Sequence, residues 1–145
     1  MTSVDLQYAL YQNKRAVIEA IRDGADAVDT LHTPTLGPVS SDRMDYPYAE
    51  VLPESTDYQG GNEFVHTIRL NCYFERTRHN DDYLLMLATA FDAVKQAIQE
   101  CLGVSCVLNA RPQVIEDYAG NLNGTLLILI SAQLRVSTLV DMSDI

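Results

Sequence analysis

Phe64-Val65-His66-Thr67-Ile68-Arg69-Leu70-Asn71-Cys72-Tyr73-Phe74-Glu75 is the stretch that decides the fold. Phe64, His66, Ile68, Leu70, Cys72 and Phe74 fall on one side of an extended chain, and Val65, Thr67, Arg69, Asn71, Tyr73 and Glu75 fall on the other. A period of two marks a β-strand with one buried face, because successive side chains leave a pleated backbone in opposite directions. His66 stands in the apolar set, so it reads as a core or interface histidine rather than a catalytic base.

Beyond this strand the period becomes helical. Asn80 or Asp81 is placed to cap a helix over residues 81–102, where Leu84, Leu87, Ala88, Phe91, Val94, Ile98 and Leu102 trace an apolar stripe and Gly103 marks the end. Short strands follow at 104–108 and 113–116, broken by Pro112, and residues 117–124 read as a polar hairpin tip. The last strand, 125–136, has Leu127 and Leu129 on its second face, so both of its faces are expected to be partly covered. Residues 141–145 read as a frayed acidic tail.

Upstream, Val4, Leu6, Leu10, Val17, Ile18 and Ile21 recur at helical spacing after Ser3, predicting a helix over 4–23 that Gly24 ends. Residues 27–31 read as a short strand and 32–45 as a long loop used for contacts. A strand at 49–52 is stopped by Pro53, and 54–62 is a polar turn containing Gly60-Gly61. The expected architecture is one α+β domain spanning 1–145. It has a mostly antiparallel sheet of four to six strands, with both helices packed on one face.

Twenty acidic against ten basic residues give a formal net charge of −10, which disfavours nucleic-acid binding through a basic face. Eight of the ten bases are arginine, and that bias together with the acidity resembles proteins of salt-accumulating organisms. In ~1 M salt the Debye length falls to ~3 Å, so the mutual repulsion of surface carboxylates is screened. Cys72, Cys101 and Cys106 lack Cys-x-x-Cys spacing and lie in apolar stretches, which reads as burial in a reducing compartment. The opening residues lack a basic start and charges interrupt 4–21, so no secretory leader is expected, and the longest apolar run, 126–130, is far shorter than the ~20 residues a membrane span needs. A soluble protein is expected.

The chain carries no Gly-rich phosphate loop, no Gly-x-Ser-x-Gly elbow and no paired histidines at metal-ligand spacing. The acidic pairs Asp81-Asp82 and Glu116-Asp117 sit at a helix start and a strand end, where a helix dipole and solvent explain them. Arg76, Arg78 and His79 form the one local basic cluster, at a strand–helix junction. The expectation is a structural or interaction protein with no catalytic residue, metal or cofactor.

Three stretches carry a family resemblance: Tyr-Pro-Tyr-Ala-Glu-Val-Leu at 46–52, Asn-Glu-Phe-Val-His-Thr-Ile-Arg-Leu-Asn-Cys-Tyr-Phe-Glu-Arg at 62–76, and the helical pattern of 81–98, with the closing strand 126–136 as a fourth. In that order the chain resembles the tail-terminator or tail-completion proteins of long-tailed viruses, a family defined by pattern more than by invariant residues. The resemblance implies a homohexameric ring that caps the tail tube, stops its growth and joins it to the head-side connector, with DNA passing through an acidic lumen unbound. It further implies a virion location in the tail or neck, with assembly in the host cytoplasm and no membrane; the composition suggests a virus of a salt-loving archaeon. Candidate contacts between subunits or rings are Tyr46, Tyr48, Tyr58, Tyr73, Arg76, Arg78, Tyr118, Leu127 and Leu129. Rival readings are a head-closure or connector adaptor of the neck, a dimeric ferredoxin-like small-molecule-binding domain, and an enzyme using His66 or the Arg76 and Arg78 cluster.

Overall fold

A computed structural model describes residues 3–28, 31–36, 46–76, 82–122 and 125–141. The alternating stretch is the central strand of a five-stranded sheet. In chain order the elements are α1 (Ser3–Asp26), β1 (His32–Leu36), β2 (Tyr48–Gly60), β3 (Glu63–Glu75), α2 (Tyr83–Leu102), β4 (Val107–Leu122) and β5 (Thr125–Leu139). The spatial order is β1-β2-β3-β5-β4, antiparallel throughout except that β1 runs parallel to β2. Both helices lie against one face of the sheet. There Ile68, Leu70, Ile130, Leu134 and Val136 meet Val17 and Ile21 of α1 and Ala93 and Ala97 of α2 in the core. The α+β class with an N-terminal and a central helix is therefore the fold.

Several expected boundaries shift for identifiable reasons. Gly24 does not end α1, which continues to Asp26. A Cβ at Gly24 would lie 2.5 Å from the Cα and the backbone nitrogen of Ala97, so glycine is needed where the two helices cross, not to stop a helix. The strand expected over 27–31 does not form at its described residues, 27, 28 and 31. Ala27 and Val28 close a turn onto α1, and β1 begins at His32, inside the stretch expected to be loop. Pro34 hid it, since proline is tolerated on an edge strand where its missing N–H faces outward. The rest of that loop, 37–45, lies outside the described residues, as do Asn80, Asp81 and 142–145.

Pro53 does not stop β2, which runs on to Gly60 with a register shift after Pro53. It sits just past Val51, the last residue that β1 pairs, so the lost donor breaks no ladder on that side. The turn expected at 54–62 shrinks to Gly61 and Asn62, entered through Gly60 and Gly61 at φ 120° and 59°. In the same way β4 is one strand with a register shift between Pro112 and Val114, and it pairs with β5 out to Leu122 and Thr125. The polar sequence 117–122 is thus strand, not hairpin tip.

Asp82 caps α2, its carboxylate accepting from the Leu85 N–H at 3.1 Å. The buried side of α2 is Met86, Ala90, Ala93, Val94, Ala97 and Cys101, rotated from the expected stripe. Leu84, Leu85, Phe91 and Leu102 face outward, at 74%, 60%, 45% and 53% exposure. Small residues win the inner side because α1 approaches so closely at Gly24. Cys72 and Cys101 are buried and Cys106 half-buried, all three as free thiols.

The crossing gives opposite expectations for one substitution. Helix propensity alone makes Gly24→Ala stabilising by ~1 kcal/mol, whereas overpacking against Ala97 makes it destabilising by ~1–3 kcal/mol. Urea unfolding is expected to show the loss.

Candidate functional site

Leu127 and Leu129 lead to the expectation that both faces of the last strand are partly covered, and on the sheet face away from the helices Tyr48, Glu50, Asn71, Leu127 and Ser131 are buried. Cross-strand register aligns Tyr48, Tyr73, Leu129 and Tyr118 in a single row across β2, β3, β5 and β4. The Tyr48 and Tyr73 rings stack with centroids 4.7 Å apart, and Tyr46 tilts against Tyr48 at 5.3 Å. Burial raises the Tyr48 phenol to about 12, with nearby Glu50 adding to the effect. Tyr73, Tyr118, Gly120, Leu127 and Leu129 border a shallow cavity of about 200 Å³ at the β4 end of this row.

The adjacent row is polar and interlocked. Glu50, 5% exposed, accepts from Asn71 Nδ2 at 3.0 Å and from the Tyr73 hydroxyl at 2.5 Å. Ser131 donates to Asn71 Oδ1 at 2.6 Å and accepts from Arg69 Nη1 at 2.8 Å, while Arg69 Nε donates to Glu54 at 2.7 Å. Burial and the Glu50 carboxylate together push the Tyr73 phenol well above its ordinary range, so it remains the donor. Buried polar groups of this kind are tolerated only when their hydrogen bonds are made. The sequence shows Glu50, Asn71 and Ser131 as ordinary alternating polar positions. Only the register, which sets Glu50 opposite Asn71 and Asn71 opposite Ser131, reveals that they form one network.

Tyr46, Tyr48, Tyr73, Tyr118, Leu127 and Leu129 are therefore gathered on one face. Tyr58 lies at the far end of the β2–β3 hairpin, its ring 5.2 Å from Phe64 and its hydroxyl donating to the Gly61 carbonyl. Arg76 follows β3, with its backbone N–H bonded to the Leu126 carbonyl at 2.8 Å, and Arg78 lies outside the described residues.

The edges of the sheet are the second feature. β1 pairs β2 only from Tyr48 to Val51, so among the described residues 52–60 have a strand, β3, on one side only. Above this bare edge, a groove of about 380 Å³ opens between α1 and Pro53, lined by Tyr11, Lys14, Arg15, Ile18 and Glu19. At the other edge β4 is exposed from Arg111 to Asn121. Sequence reading missed the groove because Lys14 and Arg15 look like the ordinary solvated face of a helix.

His66 is fully buried, with Thr56 Oγ1 at 2.9 Å from Nδ1 and Thr138 Oγ1 at 3.0 Å from Nε2. Both ring nitrogens are occupied and no carboxylate is bonded to them, which is the geometry of a core histidine. No group of residues among those described is arranged to hold a metal ion, and no described helix is long and apolar enough to cross a membrane. No protein-family model matches the chain, and no curated protein sequence matches it significantly.

Burial, with a smaller push from Lys14, lowers His66 from 6.5 to about 4. The unfolded chain takes up the proton near pH 6.5 while the folded one does not. Stability conferred by neutral His66 is thus complete above pH 6.5 and is lost as pH falls toward 4. The loss is roughly 2–3 kcal/mol, less whatever salt screens of the Lys14 contribution. Urea midpoints measured across this window are expected to fall more steeply for the wild type than for His66→Gln.

Proposed function

We propose that the chain is a structural virion protein, a tail terminator whose copies join head to tail into a ring that caps the tail tube and meets the head-side connector. The observation that carries this reading is the pair of unlike edges on one sheet: among the described residues, 52–60 of β2 have no strand on the side away from β3, and β4 has none on the side away from β5. A ring needs two different patches per subunit, each complementary to the other, whereas a two-fold dimer uses one patch twice. Strand directions agree. β3, β5 and β4 alternate after β2, so β4 is antiparallel to β2, and a sheet that continues from one copy into the next keeps every copy in the same orientation.

Further support comes from the crowded tyrosine face and the outward Leu84, Leu85 and Phe91 of α2, which offer surfaces for the tube and the connector. With a net charge of −10, the lumen of such a ring repels DNA, consistent with passage and not with binding. The composition fits assembly in high salt, where that same charge no longer holds the subunits apart.

Light scattering after size exclusion, in dilute buffer and in ~2–3 M salt, followed by electron microscopy with assembled tail tubes, tests the reading. Six-fold rings at tube ends are expected. Rings that bind the connector but ignore tube ends would move the protein to the head-closure role. A strict dimer that ignores both would sink the proposal in favour of the small-molecule-binding domain.

A further inference from the structure

We infer that the gap between Tyr73 and Tyr118, on the sheet face away from the helices, takes the guanidinium of an arginine presented by a protein partner. This rests on the reading above only in treating the tyrosine face as a contact surface, and it gives that surface a chemistry.

Register makes the gap. Along the row Tyr48, Tyr73, Leu129, Tyr118, three positions carry rings and the β5 position carries leucine. Tyr73 uses one face of its ring on Tyr48, with centroids 4.7 Å apart and planes 14° from parallel. Its other face looks across Leu129 toward Tyr118, two strand spacings or ~9.5 Å away. A flat group above Leu129 therefore lies ~4.7 Å from both rings, a distance at which planar groups stack. The cavity of about 200 Å³ bordered by Tyr73, Tyr118, Gly120, Leu127 and Leu129 occupies this position. A Cβ built on Gly120 meets no atom within 4 Å, so the rim is open on that side.

Charge and size select the occupant. The rows on either side of the tyrosine row hold Glu75, Glu50 and Glu116 and no base. Arg69, one row further on, reaches Ser131 but is tied to Glu54, and strand alternation puts Arg76 on the helix side. Both tyrosines stay neutral: burial raises the Tyr73 hydroxyl, helped by its hydrogen bond to Glu50, and a hydrogen bond to Glu116 raises that of Tyr118. Neutral rings present electron-rich faces, which attract cations. A guanidinium is flat, weakly hydrated and stacks on rings, whereas an ammonium is compact and strongly hydrated. The cavity is also smaller than the ~300–1,000 Å³ of small-molecule sites and fits the end of one side chain. An arginine on a protein surface is flat, positive and small enough, and a net charge of −10 draws it in.

A capped Gly-Arg-Gly peptide, titrated into the full chain at low salt and followed by proton NMR, tests the slot. Seated between two rings, the arginine is expected to show its Cδ protons moved upfield by ring currents, with binding in the millimolar range. The same peptide carrying citrulline, which keeps the plane and loses the charge, should bind about fivefold more weakly or worse. Tyr118→Leu is expected to weaken the arginine peptide by a similar factor, and Leu129→Phe, which fills the gap with the chain's own ring, to abolish its binding. Circular dichroism and urea unfolding check that both variants fold. Equal binding of the citrulline peptide to the wild type overturns the assignment of a cation. An arginine peptide that shows no upfield shift, or that binds both variants as it binds the wild type, overturns the slot itself. Neither result touches the ring, which is decided at the tube ends.

Discussion

The approach of α1 to α2 at Gly24 and Ala97 sets the geometry of the helical layer. With no side chain at Gly24, the helix backbones come close enough that only small residues fit between them, and α2 turns Ala90, Ala93 and Ala97 inward. Its larger residues, Leu84, Leu85 and Phe91, are left on the outside. The layer that results is compact. It covers the sheet where Ile68, Leu70, Ile130 and Leu134 face it, and leaves the outer parts of β4 and β2 reaching past it.

With both helices on one side, the other face of the sheet closes itself. Stacked tyrosines and a chain of hydrogen bonds from Glu50 through Asn71 and Ser131 to Arg69 replace a second helical layer. Every link in that chain spans neighbouring strands, so the network reports on register: slipping one strand by a single residue would carry its polar side chains to the core. A buried carboxylate that accepts two hydrogen bonds costs less than an unpaired one, yet it tolerates little change around it. This part of the molecule therefore constrains sequence more tightly than its composition suggests.

Much of the fold could be read in advance where one local pattern dominated. The alternation of 64–75 gave β3, and apolar spacing gave two helices and a buried His66. Reading failed where a tertiary partner overrode a local signal. Gly24 is a helix breaker by propensity and a contact residue by position; Pro53 and Pro112 break strands only when their N–H is needed, and edge strands do not need it. The stripe of α2 was misplaced because leucine outweighs alanine in any hydrophobic pattern, whereas the close crossing selects for volume. Of the candidate contact residues, the register collects Tyr48, Tyr73, Tyr118, Leu127 and Leu129 on one face, where Tyr46 joins them through its ring contact with Tyr48, and sends Tyr58 to the other end. The groove at Lys14 was not visible, since it arises from where α1 passes Pro53 of β2.

The three cysteines have a chemical consequence. Burial raises Cys72 and Cys101 to about 12, which keeps both as thiols at neutral pH, and the thiolate is the form that reacts with oxidants and disulfides. The two sulfurs behave as hydrocarbon. Cys106, half-buried near the end of α2 with its thiol also raised by burial, is more accessible than either but poorly activated. The interior of the molecule is thus poorly reactive toward oxidants, and a move from a reducing to an oxidising medium leaves the covalent chemistry of its core unchanged.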